Sequence, residues 1–380
     1  MDIKPFLVEE WMNAYENDAA YNLAETCVDS LTLGELLTLS GQEPARYLTL
    51  LADQRLTYGH IYGSPALLCG IGSLFCPAAA PEQIVVTHGA AGANHQLLIS
   101  LLGPKDHAIC FTPAYQQHTS IPESTGAQLS TLPLLEQDGY MPDLEKLKTL
   151  FRPNTKLVII NSPNNPTGAL FPDDVMKELV DIARRADVYL LNDEVYRGIT
   201  LDGSYTPSVV DLYEKGISVG SMSKVFSLAG LRLGFIVSKD AAVIEACKCR
   251  RDYDTISCGV LDDMLAALAL QNKEAIWQRG RDIVRQGRDI LTAWVSTEPR
   301  VRCVTPQGGS TALVHYNADL PSRKFCLRLL RERGVLYTPG DCFELEYCYR
   351  IGYAFSPDLL QKGLEQTSAF LASLPLRAQF

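Results

Sequence analysis

Residues 83 to 238 alternate short apolar runs with segments of helical periodicity, and this alternation constrains the fold more than any other feature. The runs predicted as strands are QIVVTH, HAICFT, KLVIIN, VYLLND, GISVGS and RLGFIVS. Helices are predicted at AAGANHQLLISLL, at LEKLKTLF and from Asp173 to Arg185. Strands that are apolar almost throughout are buried on both faces, and helical connections make neighbouring strands parallel. The sequence therefore predicts an α/β fold with a mostly parallel sheet sandwiched by helices, and with ligands at the carboxyl ends of the strands.

The regions on either side of this alternation have a different pattern. Residues 5 to 17 place apolar side chains at helical spacing, while residues 300 to 355 combine short strand-like runs with the helical segment RKFCLRLLRER. Long helices are predicted around residues 259 to 295. We therefore expect a large domain over residues 46–280 and a smaller α+β domain formed by both termini, residues 1–45 and 281–380.

Charge and cysteine content exclude several classes of protein. The 380-residue chain has a formal net charge of −10, and its most basic stretch, CKCRR, is short, which argues against a nucleic-acid partner. Eleven scattered cysteines, with no basic and apolar leader, predict a cytoplasmic protein. No apolar run reaches the ~20 residues of a membrane span. The cysteines and histidines lack ligand spacing, so no metal site is predicted.

Two polar motifs follow predicted strands. In NSPNNPTGAL, the amide of Asn165 lies between a strand end and a turn, where it can donate to a phenolic or carboxylate oxygen. In LNDEVYRGI, Asp193 ends a buried strand and Tyr196 follows three residues later. A buried aspartate is costly unless a cation meets it, and a protonated pyridine nitrogen is one such cation. Taken by itself, NSPNNPTGAL is also typical of a purely structural turn. Asp193 taken by itself is also typical of a helix N-cap residue.

A third motif, SMSKVFSLAG, places Lys224 on a serine-flanked turn directly after a predicted strand. Most lysines in such loops are simply exposed. A lysine that forms a Schiff base, however, must lose its proton, which burial and neighbouring cations favour. Ser221, Ser223 and Arg232 are donor types that surround phosphates. Upstream, the small residues of THGAAGAN would let backbone amides at a helix N-terminus approach a phosphate, although tight packing would also select them.

Taken in order, NNPTG, NDEVY, SMSK and LRLGF resemble the fold-type I pyridoxal-phosphate enzymes of the class I/II aminotransferase group. The resemblance implies pyridoxal 5′-phosphate as cofactor. It makes Lys224 the internal aldimine lysine and proton shuttle, and Asp193 the partner of the pyridine nitrogen. Asn165 and Tyr196 would bind the phenolic oxygen, with Asn165 also beside the substrate. The phosphate would be held by Ser221, Ser223, Arg232 and the amides of Gly89, Ala90 and Ala91.

Three further positions match the same family. Tyr115 in FTPAYQQH resembles the aromatic residue that stacks on the pyridine ring. Tyr58 in YGHIYGSPAL resembles the tyrosine that reaches the phosphate of the neighbouring subunit, which implies a homodimer with shared active sites. Arg350 in YRIGYA resembles the arginine that binds the substrate α-carboxylate, although an ordinary surface arginine is the alternative.

The resemblance implies transamination between an L-amino acid and a 2-oxo acid. An alternative is a β/γ-eliminating lyase or an amino-acid cyclase. The segment NLAETCVDSLTLGEL lacks the usual GxPD-like sequence and carries Glu25 and Thr26, followed by Cys27, at the predicted substrate position. It is weakly similar to the capreomycidine-synthase-like branch, in which Glu25 would meet a cationic side chain, unless it is an ordinary exposed glutamate. A cofactor-binding module without activity is a third class, but the chain carries no N-terminal DNA-binding pattern.

Overall fold

The computed structural model describes residues 2–200 and 203–377. Its α-helices are α1 (Leu7–Tyr15), α2 (Leu33–Leu39), α3 (Pro44–Ala52), α4 (Pro65–Gly72), α5 (Gly89–Leu101), α6 (Gln117–Ser124), α7 (Leu144–Leu150), α8 (Asp173–Ala186), α9 (Val209–Leu212), α10 (Ala241–Arg251), α11 (Val260–Gln271), α12 (Lys273–Thr297), α13 (Ser322–Arg333) and α14 (Pro357–Ala372). Its strands are β1 (Tyr21–Asn22), β2 (Ile84–His88), β3 (His107–Thr112), β4 (Gln128–Pro133), β5 (Thr155–Asn161), β6 (Tyr189–Asp193), β7 (Gly216–Ser221), β8 (Leu233–Ser238), β9 (Val301–Cys303), β10 (Thr311–Tyr316), β11 (Val335–Leu336), β12 (Thr338–Pro339) and β13 (Cys348–Gly352). Among the described residues, no helix is long and apolar enough to cross a lipid bilayer.

The large sheet contains seven strands of the described chain in the order β2-β8-β7-β6-β5-β3-β4. Strands β3, β5, β6 and β7 are parallel, as expected for a mostly parallel sheet, and β4, which the sequence did not predict, adds a further parallel strand. Strand β8 runs antiparallel to both β7 and β2. The reason is the connection: only residues 222–232 join β7 to β8, and they contain a short 3₁₀ turn (Ala229–Leu231) rather than a crossover helix. Ser221 therefore pairs with Gly234 on the returning strand.

Helices cover both faces of this sheet, which explains its continuous apolar strands. Along β5, Leu157 and Ile159 join the cluster that includes Leu97 of α5, while Val158 and Ile160 join the cluster on the other face. Successive side chains of a strand point to opposite faces, so both sets must be apolar when both faces are covered. This arrangement confirms the predicted fold class.

The terminal regions associate with each other. A second sheet has the order β12-β13-β10-β9 with antiparallel pairing, and β1 pairs in parallel with β11, so that Tyr21 lies opposite Val335. The N-terminal helix is anchored beside them, because the Trp11 indole donates to the Tyr337 carbonyl at 2.8 Å. The domain division at residues 45/46 and 280/281 stays a prediction.

Candidate active site

A cavity of about 260 Å³ opens where β5, β6 and β7 end, against the loop after β1 and one face of α1. It gathers most of the residues singled out in the sequence. Its lining includes Glu25, Thr26, Ala90, Ala91, Tyr115, Asn165, Asp193, Tyr196, Ser221, Ser223, Lys224, Arg232 and Arg350. Motifs that are distant in the chain meet here because parallel strands carry their carboxyl ends to one edge of the sheet.

The carboxylate of Asp193 is buried at the edge of the sheet. Its Oδ2 accepts a hydrogen bond from the Asn94 side chain at 2.8 Å and lies 3.2 Å from Nε2 of His118, while Oδ1 accepts from the Val195 amide at 3.2 Å. Among the described residues, no lysine or arginine pairs with it. The sequence-based prediction did not include Asn94 or His118, although they end the quoted segments THGAAGAN and FTPAYQQH.

Asn161 fixes the loop that carries Asn165. The Asn161 side chain donates to the Asp193 carbonyl at 2.7 Å and accepts from the Asn165 amide at 2.7 Å. The hydroxyl of Tyr196 lies nearby and makes no hydrogen bond of normal geometry within the described chain, although Thr26 is close to it. Burial raises the pKa of Tyr196 despite the neighbouring Lys224 and Arg350. The cavity therefore contains a neutral phenol whose hydroxyl is free for a ligand.

Lys224 points into the cavity from the loop after β7. Its Nζ donates to Oγ1 of Thr26 at 2.5 Å and lies 3.5 Å from Sγ of Cys27. Burial acts to lower the pKa of Lys224, but Cys27, Tyr196 and Glu25 outweigh burial, so the pKa is raised. This direction is opposite to the sequence-based expectation, because the residues that contact the ammonium are acceptors rather than cations.

Arg232 lies beside the start of α5. Nη1 of Arg232 lies 3.3 Å from Oγ of Ser223 and donates to the Ala229 carbonyl at 3.0 Å, and Ser221 Oγ accepts from the Ser223 amide. Gly89 does not line the cavity, but its backbone lies under the guanidinium: at φ +66°, a Cβ on Gly89 would lie 2.8 Å from Nη2 of Arg232. Amides at the start of this 13-residue helix are suited to a phosphate.

Arg350 enters from β13 and is 3% exposed. Its guanidinium donates to the Asn165 side chain at 3.2 Å, to the Ala24 carbonyl at 3.1 Å and to Thr338 Oγ1 at 3.0 Å, while its Nε has no acceptor in the described chain. Arg350 is therefore buried at the cavity rather than exposed on the surface.

Helix α1 supplies side chains that the sequence reading did not assign to the site. Glu9, Met12 and Glu16 line the cavity, and the Tyr115 hydroxyl donates to Oε1 of Glu9 at 2.9 Å. Sequence alone could not say which of several residues faces inward: Glu25 and Cys27 line the cavity, whereas Trp11, Tyr15 and Tyr62 do not. The helical spacing of Glu9, Met12 and Glu16 was a usable signal, but nothing in the sequence placed α1 beside the sheet.

Tyr58 is, besides Gly89, a predicted site residue that does not line this cavity. Its side chain is 67% exposed and lies on a separate surface with Gly59, His60 and Val260. Whether it reaches the site of a second subunit stays a prediction.

The chain belongs to the aminotransferase class I and II family, whose model matches residues 30–366. It is a pyridoxal-phosphate-dependent enzyme. The match confirms the fold class, the cofactor and the aminotransferase function that were predicted from the sequence.

Three known proteins illustrate the similarity. A PLP-dependent aminotransferase structure from Streptococcus suis is 42% identical with a TM-score of 0.94, covering 99% of this chain and 100% of that chain. Capreomycidine synthase of Streptomyces vinaceus is 29% identical over 96% of this chain and 93% of its own. The aspartate/prephenate aminotransferase of Thermus thermophilus is 29% identical over 77% of this chain and 76% of its own.

The cavity fits pyridoxal phosphate on its own geometry. Within the described chain, Asp193 is a buried carboxylate that contacts His118 but no lysine or arginine, and the Tyr196 hydroxyl has no hydrogen bond of normal geometry. Arg232 lies beside a glycine whose missing Cβ leaves room for its guanidinium. These groups match a pyridinium, a phenolic oxygen and a phosphate respectively.

Proposed function

We propose that this enzyme moves the amino group of an L-amino acid to a 2-oxo acid, with Lys224 as the catalytic residue. The observation that carries this proposal is the convergence of Lys224, Asp193 and Arg350 on one cavity. Bound pyridoxal phosphate supplies an electron sink for the electrons of the substrate Cα–H bond.

The cofactor would be held by residues at or near the ends of several strands of the large sheet. Asp193 would bind the pyridine nitrogen, Asn165 and Tyr196 the phenolic oxygen, and Tyr115 the face of the ring. The phosphate would be bound by Ser221, Ser223, Arg232 and the amides of Gly89, Ala90 and Ala91.

Arg350 would bind the substrate α-carboxylate through its guanidinium, with Asn165 and Thr26 next to the reacting carbon. This orientation brings the Cα proton toward Nζ of Lys224, which accepts it as a general base. Thr26 Oγ1, 2.5 Å from Nζ, orients the amine. An amine must be neutral to accept a proton, so the raised pKa of Lys224 has to fall once ligands fill the cavity.

A second candidate is an eliminating lyase or an amino-acid cyclase. Capreomycidine synthase matches 96% of this chain, a larger share than the aspartate/prephenate aminotransferase does. The same cofactor contacts serve both reactions, so products rather than geometry distinguish them.

We also infer a homodimer in which Tyr58 acts on the partner's site. Exposed apolar side chains cluster in two segments, Leu48 to Tyr62 and Tyr253 to Leu261. Arg251 and Lys248 of α10 contact the ring of Tyr62, which joins both segments into one surface. Exposed apolar surface of this kind marks an interface. Eleven free cysteines fit a cytoplasmic enzyme of amino-acid metabolism.

The test is an absorbance spectrum of the purified protein with a panel of amino acids and products identified by mass. Conversion of the visible cofactor band to one near ~330 nm, together with the matching 2-oxo acid, supports transamination. Release of an eliminated or cyclised product supports the second candidate. Lys224→Ala should abolish the reaction, whereas Lys239→Ala, at an exposed lysine outside the cavity, should not. A Lys224→Ala enzyme with normal turnover would overturn the proposal.

A further inference from the structure

Three carboxylates on the cavity wall are not used by the proposed mechanism. Glu9 and Glu16 lie on the cavity face of α1 and of the 3₁₀ turn that follows it (Glu16–Asp18), and Glu25 lies in the loop after β1. Glu9, Met12 and Glu16 have i, i+3, i+7 spacing, so they form one stripe along the helix. This acidic wall, Glu9, Glu16 and Glu25, faces the same space as Lys224.

Nothing in the described chain neutralises this wall by an ion pair. None of the three carboxylates has a lysine, arginine or histidine within salt-bridge distance among residues 2–200 and 203–377. Glu9 accepts only the neutral Tyr115 hydroxyl, and Oε1 of Glu25 accepts the amides of Thr26 and Cys27 at 2.7 and 2.9 Å. Burial raises the pKa of Glu16, and the negative charges of Glu25 and Glu9 raise it further. The three carboxylates are therefore close enough to interact electrostatically.

A second observation in the same cavity points to a charged ligand. Arg350 is 3% exposed, lines the cavity, and its Nε has no acceptor in the described chain. A buried guanidinium with an unused donor calls for an anion. The cavity therefore contains a hydrogen-bond donor, Nε of Arg350, that could bind a carboxylate of a ligand. It also contains the carboxylates of the acidic wall, which could bind a cation of the same ligand.

Charge balance separates these glutamates from the catalytic groups. The lining holds four carboxylates (Glu9, Glu16, Glu25 and Asp193) and three cations (Lys224, Arg232 and Arg350). This step rests on the proposed function. In it, Asp193 pairs with the pyridine nitrogen, Arg232 binds the phosphate and Arg350 binds the α-carboxylate. Lys224 loses its charge to act as a base. The three glutamates then remain without a counter-charge.

We propose that the acidic wall selects amino acids whose side chain ends in a cation, a guanidinium or an ammonium. In the site without ligands, burial acts to raise the pKa of Glu25, but Lys224 and the hydrogen bonds from Cys27 and Thr26 outweigh it, so the pKa is lowered. When Lys224 is neutral, the amides of Thr26 and Cys27 still stabilise the Glu25 carboxylate. An acidic side chain would be repelled by the wall. A neutral one would leave the partly buried Glu25 without a counter-charge, whereas Glu9 and Glu16 are exposed and add a favourable potential for a cation.

The experiment compares cationic amino acids with neutral analogues of similar shape on the holoenzyme. L-Arginine is paired with L-citrulline and L-lysine with L-norleucine, and L-aspartate is the acidic control. Calorimetry gives the affinity of each and product analysis gives kcat/KM. Each cationic member should exceed its neutral partner by roughly tenfold or more in both measurements. Equal values within each pair, or a preference for L-aspartate, would overturn the proposal.

Charge-removing variants locate the effect. Glu9→Gln, Glu16→Gln and Glu25→Gln keep the size and an acceptor oxygen, so the amides of Thr26 and Cys27 retain their partner in the last variant. Each should lower the arginine-to-citrulline ratio by several-fold, and the triple variant should remove the preference. Glu10→Gln, the same change on α1 outside the cavity lining, should leave the ratio unchanged. A triple variant with the wild-type ratio contradicts the proposal.

The two readouts separate failure of this inference from failure of the proposed function. Selective binding of arginine with no 2-oxo acid product would support the acidic wall and count against transamination. Transamination of neutral amino acids with no preference for cationic ones would support the proposed function and count against the acidic wall.

Discussion

At the scale of single residues, Asp193 is the group expected to stabilise the charge of the cofactor ring. Its carboxylate is buried, held by Asn94 and the Val195 amide, and has no lysine or arginine beside it in the described chain. A buried carboxylate is costly unless it is hydrogen-bonded and meets a positive charge, and a protonated pyridine nitrogen would supply that charge beside the His118 contact. Asp193 is therefore expected to matter for charge rather than for shape.

Asp193→Asn tests this directly. The change keeps the side-chain size but removes the charge that would stabilise a protonated pyridine nitrogen, so kcat/KM should fall on the order of a hundredfold or more. Steady-state kinetics with saturating cofactor measures the loss. Asp187→Asn, on an exposed aspartate paired with Lys215, is the matched control and should leave kcat/KM unchanged. Equal activity of the two variants would show that Asp193 has no catalytic role.

Gly89 is a second position at which one added carbon atom is expected to disturb cofactor binding. Its φ of +66° disfavours other residues, and an added Cβ would lie 2.8 Å from the Arg232 guanidinium. Gly89→Ala should weaken cofactor binding at least about tenfold, because Arg232 must move away from the phosphate position. Titration of the apoenzyme with pyridoxal phosphate measures this. Gly34→Ala, whose Cβ meets nothing within 4 Å, is the control, and matching affinities would contradict the argument.

At the scale of elements, helix α1 is a wall of the active site rather than a peripheral segment. It carries Glu9 and Met12 to the cavity, and its position depends on Trp11, which is 2% exposed and bonded to the Tyr337 carbonyl. The ring of Trp11 also packs against Tyr15 with ring centroids 4.6 Å apart. Packing against the C-terminal region therefore positions the residues that meet the substrate.

Trp11→Ala should cost about 3–5 kcal/mol of stability through the cavity it leaves. Because α1 would lose its anchor, the KM for the amino acid should rise more than kcat falls. Chemical denaturation and steady-state kinetics measure the two effects. Trp294→Ala, at a half-buried tryptophan of α12 outside the cavity, serves as the comparison and should spare KM. An unchanged KM in Trp11→Ala would show that α1 does not position the substrate.

At the scale of the whole molecule, the prediction concerns a site shared by two chains. Tyr58 lies outside the cavity of its own chain, on the exposed apolar surface, so any catalytic role requires a partner. Tyr58→Ala and Lys224→Ala should each have low activity alone. Mixing the two should form hybrid dimers with one intact site, restoring up to about a quarter of wild-type activity.

Subunit exchange followed by kinetics and light scattering makes this measurement. A mixture that stays at the level of the single variants, although scattering shows hybrid dimers, would mean that Tyr58 does not act across the interface. A chain that scatters as a monomer would overturn the dimer itself.

The sequence by itself determined the sheet, the cofactor and the chemistry at its edge. Continuous apolar strands indicate burial on two faces. Asp193 ends β6, Asn165 and Lys224 lie shortly after the ends of β5 and β7, and Arg232 directly precedes β8, so the local pattern predicted that these residues lie at one edge of the sheet. The predicted strand boundaries differ from those observed by about one residue, within the usual variation at element ends.

Only the tertiary structure decided which side chains line the cavity together. The antiparallel direction of β8, the assembly of the acidic wall and the contacts of His118 and Arg350 depend on packing between segments far apart in the chain. Helical spacing shows that Glu9 and Glu16 share a face but not what that face meets. The physical reason is that a local pattern encodes burial and turn geometry, whereas the partner across a cavity is set by the whole fold.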